Sequence, residues 1–135
     1  MNVVVDTSVW SLAFRRADRR DGSISRELTE LIREGRVAMI GPIRQELLSG
    51  IRVAGQLERV REHLRAFPDV ELEAADYEDA AAAFSRCRER GIQGSNTDFL
   101  ICAIAIRRDL AIFTTDRDFE HFARVLGLTL HRSRT

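Results

Sequence analysis

Asn2 to Val5 forms a short valine-rich run that stops at Asp6-Thr7-Ser8, a pattern that predicts a buried strand handing over to a helix start. Val9, Trp10, Leu12, Ala13 and Phe14 then predict a turn or two of helix before a polar loop over 15–22. Ile24, Leu28, Leu31 and Ile32 read as the inner stripe of a second helix, stopped by Gly35. Val37 to Ile40 predicts the second strand. Gly41-Pro42 opens the next helix, with proline in its first turn and Gly50 at its end.

Leu57, Val60, Leu64 and Phe67 recur at helical spacing among charged residues, which predicts an amphipathic surface helix ended by Pro68. Val70 to Leu72 reads as a weak third strand, and 74–90 as an alanine-rich helix stopped by Gly91. Phe99 to Ile106 is apolar all round, so the helix over 95–108 should pack centrally. Leu110 to Phe113 is the fourth strand, 116–126 a helix stopped by Gly127, and Leu128 to His131 a last short strand. Strands alternating with helices call for a parallel sheet covered on both faces, so the fold class is α/β. In such sheets ligands bind outside the carboxyl ends of the strands, where strand order reverses.

The 135 residues suffice for one domain, taken as 1–135. The longest apolar run, eight residues, is far below the roughly 20 of a membrane-spanning helix. The first residues lack a secretion signal, and Cys87 and Cys102 lack metal-ligand spacing. A cytoplasmic protein with free thiols is the expectation. All 21 basic residues are arginine, balanced by 21 acids. The absence of lysine excludes a P-loop phosphate site and Schiff-base chemistry in their usual forms.

The candidate chemistry lies in carboxylates. Asp6 and Asp116 each follow a strand, and in a sheet ordered 3-2-1-4-5 those strands flank the reversal point; the plain alternative is that both cap helices. Asp98, three residues after Ser95, is either the acid of a capping box or a carboxylate held at the sheet's end by a buried helix. Glu46 falls about 60° from Ile43 and about 100° from Leu47 around its helix, on the edge of the apolar face. Asp118 is a fifth candidate whose ordinary role is an acid in a first helical turn. Converging carboxylates repel one another unless a hard cation sits among them, and a set without His or Cys suits Mg²⁺ or Mn²⁺ rather than zinc. Withdrawing four acids into such a site leaves 17 acidic against 21 basic residues.

Val3-Val4-Val5-Asp6-Thr7-Ser8-Val9-Trp10, Pro42-Ile43-Arg44-Gln45-Glu46-Leu47-Leu48-Ser49-Gly50, Asp98-Phe99-Leu100-Ile101-Cys102-Ala103 and Thr114-Thr115-Asp116-Arg117-Asp118-Phe119 together resemble, in order and spacing, the four motifs of PIN-domain ribonucleases. Length and order resemble most the VapC toxins of bacterial toxin–antitoxin pairs. The resemblance implies a three-layer α/β/α sandwich around a mostly parallel sheet of four to five strands. It implies an acidic quartet of Asp6, Glu46, Asp98 and Asp116 with Mg²⁺ or Mn²⁺ as cofactor. Asp6 and Asp98 would be the most direct ligands and Asp118 the optional fifth acid. Thr7, Ser8 and Thr114 match hydroxyl positions near such a site, where they would orient water or a carboxylate. The implied reaction is endonucleolytic RNA hydrolysis by metal-activated water.

The same resemblance implies a homodimer held by a VapB-like antitoxin. Leu57, Val60, Leu64 and Phe67, with Trp10 and Phe14, would form an apolar groove for that partner or simply cover the core. Arg15, Arg16, Arg19 and Arg20 are candidate RNA-backbone contacts, in a loop that Asp18 and Asp21 partly neutralise. His63, His121 and His131 are scattered and read as bystanders. Two other classes stay open: a catalytically silent RNA- or partner-binding module on the same fold, and a metal-dependent phosphatase or DNA nuclease.

Overall fold

The computed structural model describes residues 1–15 and 22–134. Its elements follow the order β1 (Val3–Val5), α1 (Thr7–Phe14), α2 (Gly22–Arg33), β2 (Val37–Ala38), α3 (Gly41–Ser49), α4 (Ala54–Leu64), α5 (Ala74–Glu89), α6 (Asn96–Arg107), β3 (Ala111–Phe113) and α7 (Asp118–Leu126). The sheet is parallel with order β2-β1-β3, Val3 and Val4 pairing with Val37 and Ala38 on one side and Val3 to Val5 with Ala111 to Phe113 on the other. Successive strand side chains point to opposite faces, yet all three valines of β1 are fully buried, so both faces of the sheet are covered.

The expected third and fifth strands are reduced to single parallel bridges, Met39 with Asp69 and Ile112 with Leu130. These extend the sheet at its two edges in the anticipated order, 3-2-1-4-5. Pro68 has no N–H to lengthen the first pairing, which rests on Val70 N–H donating to Met39 O at 2.8 Å. At the other edge Ile112 donates to Thr129 O and accepts from His131 N–H, after which the chain leaves the ladder.

Helices α1 to α4 pack among themselves, as do α5 to α7. In α6, Phe99 to Ala105 are all buried, as the apolar run predicts, whereas Ile106 emerges to 49% exposure where the helix ends. Phe84, Phe99, Phe122 and Phe119 form a chain of ring contacts at 4.9–5.2 Å that joins α5, α6 and α7. Gly94 lies against this chain: a β-carbon there would stand 2.7 Å from Phe122. Asp76, fully buried in α5, accepts from Arg107 Nε at 2.9 Å and from Arg108. The Arg108 guanidinium holds its carboxyl well below the usual range against the opposing effect of burial. The half-buried Arg44 of α3 bonds Asp69 and donates to the Leu64 and Phe67 carbonyls, satisfying groups left open at the end of α4.

Glu27 departs from the predicted inner stripe of α2. It is buried beside Leu28 and Leu31, while Ile32 is 39% exposed. Glu27 is served by His131 Nε2 at 2.8 Å and by the Arg134 backbone and guanidinium. His131 also packs edge-on against Phe113. Both cysteines are free and buried, and burial pushes their thiols up.

Candidate metal centre

Asp6 leaves the end of β1 with its N–H bonded to Phe113 O at 2.9 Å, so the first acid is locked to the end of β3. It occupies the position before α1 in extended conformation, but its side chain caps nothing. Instead Oδ2 accepts two hydroxyl hydrogens, from Ser8 at 2.9 Å and Thr114 at 2.8 Å. Those hydroxyls are themselves held, Ser8 Oγ by Thr115 N–H at 3.1 Å and Thr114 Oγ1 by Asp116 N–H at 3.0 Å. Asp6 is 7% exposed, and this network uses one carboxylate oxygen and leaves Oδ1 unengaged among the described residues.

Asp98 performs the capping role as well as lying at the site. Its N–H donates to Ser95 Oγ and its Oδ2 accepts from Ser95 N–H at 2.9 Å, a complete capping box at the start of α6. Burial raises its carboxyl above the ordinary value, the Ser95 bonds pull it back, and the charges of Asp6 and Asp116 raise it further. The charges of two other candidate acids thus bear on Asp98.

Glu46, exposed on α3, accepts from Thr7 Oγ1 at 2.8 Å, which ties it to the turn that begins with Asp6. Asp116 accepts the Asp118 N–H on Oδ1 at 2.9 Å, starting α7. Asp118 is exposed and joins this group only through that backbone bond. Trp10, Val60 and Leu64 are buried in the core, which corrects their placement in an open groove; Phe14, Leu57 and Phe67 are half-buried. Arg15 is exposed, and Arg16, Arg19 and Arg20 lie outside the described residues.

No three His, Cys, Asp or Glu side chains among the described residues form a ready-made cage for an ion. The candidate acids offer only oxygen donors, the type a hard divalent cation takes. The oxygen-only donors and the unengaged Oδ1 of Asp6 agree with such an ion.

A family model described as PIN domain matches residues 3–125. The chain belongs to the PIN-domain family. Among PIN-domain relatives, VapC ribonuclease Mb1587 of Mycobacterium bovis is 33% identical over 131 residues, covering 93% of this chain and 95% of that protein. Ribonuclease VapC11 of Mycobacterium tuberculosis matches to the same extent.

Solved structures share the PIN fold at low identity. FitAcB from Neisseria gonorrhoeae superposes with a TM-score of 0.75 at 19% identity, covering 96% of each chain. VapBC2 from Rickettsia felis, bound to a DNA fragment from their promoter, gives 0.77 at 18% identity over 97% of this chain and 98% of that one. Mycobacterium tuberculosis VapC20, a sarcin-ricin-loop-cleaving toxin, gives 0.70 at 19% identity over 89% and 94%. No helix of the described residues is long and apolar enough to cross a membrane.

Proposed function

We propose that this chain is a divalent-metal-dependent endoribonuclease, the toxin of a VapBC-like toxin–antitoxin pair, acting as a cytoplasmic homodimer. The observation that carries the reading is the hydrogen-bonded network at the neighbouring ends of β1 and β3, in which Thr114 donates to Asp6 and is held by the Asp116 amide. Likeness over nearly the whole chain to proteins named VapC ribonucleases supports the substrate. Likeness to the VapBC2 assembly and to a toxin–antitoxin complex from Klebsiella pneumoniae supports the antitoxin partner.

Asp6 and Asp98 would hold the cation, with Asp116 and Glu46 completing the acidic set. When bound, Mg²⁺ or Mn²⁺ supplies charge to the phosphate oxygens and makes a water more acidic. Ser8 and Thr114 fix the Asp6 carboxylate in one orientation before any ligand arrives, and Ser95 does the same for Asp98. Thr7 steadies Glu46 at the rim, where an exposed carboxylate can accept a proton.

The test uses purified protein freed of antitoxin, labelled total RNA, Mg²⁺ or Mn²⁺, an EDTA control and the Asp98→Asn variant. Discrete fragments that require both metal and Asp98 uphold the reading. Intact RNA from a folded, metal-loaded protein assigns the fold to a binding module, and preferential cleavage of DNA or a phosphomonoester assigns it to the other metal-dependent class. Light scattering of the same preparation decides the dimer.

A further inference from the structure

A groove runs from Glu46 along the end of α1 and the start of α4. It consists of two adjoining depressions of about 380 and about 660 Å³ that share Phe14, Arg15, Val53 and Gln56. The depression nearer the acids adds Glu46 and Arg52 to its walls, and the farther one adds Arg59 and His63. Each volume lies in the range that seats a nucleotide-sized group.

The groove gathers three arginines. Arg15, Arg52 and Arg59 are exposed, and none makes an ion pair or a side-chain hydrogen bond among the described residues. Arginines just outside it are committed: Arg61 to Glu58 at 3.5 Å, Arg65 to Glu62 at 2.7 Å, and Arg44 to Asp69 at 2.9 Å. Among the described residues Glu46 is the one acid lining either depression, and Thr7 ties it to the turn that begins with Asp6. Three guanidiniums with no carboxylate partner among the described residues favour anions between them, and a guanidinium matches a phosphate bidentately.

Between the charges lies apolar surface. Phe14 is half-buried with the His63 ring 6.1 Å away, and Val53 is 64% exposed. A cationic track interleaved with ring faces is the usual construction of a single-strand binding groove, in which bases stack without sequence-specific hydrogen bonds. Resting on the ribonuclease reading above, we propose that single-stranded RNA reaches the acids along this groove, with its phosphates on Arg15, Arg52 and Arg59 and a base against Phe14 and His63. A protein partner is the less favoured occupant, because the three positive charges lead directly into the acidic corner, where a phosphodiester and a cation would meet.

The decisive measurement is fluorescence anisotropy of a labelled single-stranded RNA of about 20 nucleotides, longer than a single-strand groove of this kind spans. It is run on Asp98→Asn protein with and without Arg52→Ala/Arg59→Ala, and with Arg61→Ala as the control off the track. The double variant is expected to bind on the order of tenfold more weakly. Its log-affinity against log-salt slope should be shallower by about 1.4, since each single-strand phosphate contact contributes about 0.7. Arg61→Ala should match its parent. Equal affinity and equal salt slope in the double variant overturn the proposal, as does a loss confined to binding of a cognate antitoxin, which would give the groove to a protein. Failure of the ribonuclease reading is separately visible, because wild-type protein would then leave RNA uncut while the binding comparison still decides the track.

Discussion

Thr114 and Asp6, 108 residues apart in the chain, are joined by a 2.8 Å hydrogen bond whose donor is itself held by the Asp116 amide. One hydroxyl thereby fixes the position of the first acid relative to the fourth. Thr114→Val preserves shape and deletes both bonds. Loss of such a supporting partner is expected to cost about 10–100-fold in metal affinity or activity. Calorimetric titration with Mn²⁺ beside cleavage rates checks this, and Thr114→Ser, which keeps the hydroxyl, should recover most of the loss.

Glu27 makes the fold sensitive to acid. Burial opposes its ionisation, yet the bonds from Arg134 and His131 bring its carboxyl from an ordinary 4.5 to about 2. A depressed carboxyl stabilises the fold above its unfolded value and loses that contribution as pH falls towards its folded value. The window therefore runs from about pH 4.5 down to about pH 2. Glu27→Gln should reduce the steepness of stability against pH near the middle of that window by about 1.4 kcal/mol per pH unit, one proton's worth. Urea unfolding across that pH range measures it; an unaltered slope would remove Glu27 from the account.

Asp76 is fully buried, whereas its partners Arg107 and Arg108 are partly open to water. Asp76→Ala leaves two guanidiniums that solvent can partly recover, so the cost should fall below the roughly 3–5 kcal/mol of a fully stranded buried charge, at about 2–3 kcal/mol. The urea midpoint should drop at neutral pH with little change in the denaturant slope.

Gly94→Ala tests the aromatic chain. The backbone there needs no left-handed conformation, so the whole effect comes from a methyl placed 2.7 Å from Phe122 and 3.1 Å from Phe99. Overpacking of this kind costs about 1–3 kcal/mol. A midpoint equal to the wild type would show that Phe122 moves aside freely.

The pattern of the sequence was sufficient for most of the frame because its strong signals are local. The valine run before Asp6 and the apolar stretch after Asp98 each have one comfortable place in a parallel α/β fold, the central strand and the buried helix. The edge strands were overestimated, since apolar tripeptides beside Pro68 or near the chain's final turn cannot build a ladder from one bridge. Ile32 and Glu27 changed places for a physical reason. At 100° per residue Glu27 and Ile32 flank the face centred by Ile24, Leu28 and Leu31 at nearly equal angles, about 70° to either side. A helical wheel does not choose between them; the choice is made by His131 and Arg134, which bond Glu27 and which no local rule supplies. Asp6, Asp98 and Asp116 were legible one by one as helix starts, whereas which strand ends stand side by side follows from strand order, which single positions do not encode. Arg52 and Arg59 carry no motif, and only their place on the walls of the groove, without an ion pair among the described residues, singles them out.

The capping box at the head of α6 gives Asp98 a folding role beside its proposed chemical one. Ser95 N–H and the proposed cation draw on the same carboxylate. An alanine at position 98 would fray the most deeply buried helix of the molecule along with removing a ligand, and a dead enzyme of that kind says nothing about catalysis. Asparagine keeps an oxygen for the Ser95 amide and gives up only the charge. Any selection for escape from toxicity should accordingly yield two kinds of survivor at this one codon, soluble inert protein and protein that never accumulates.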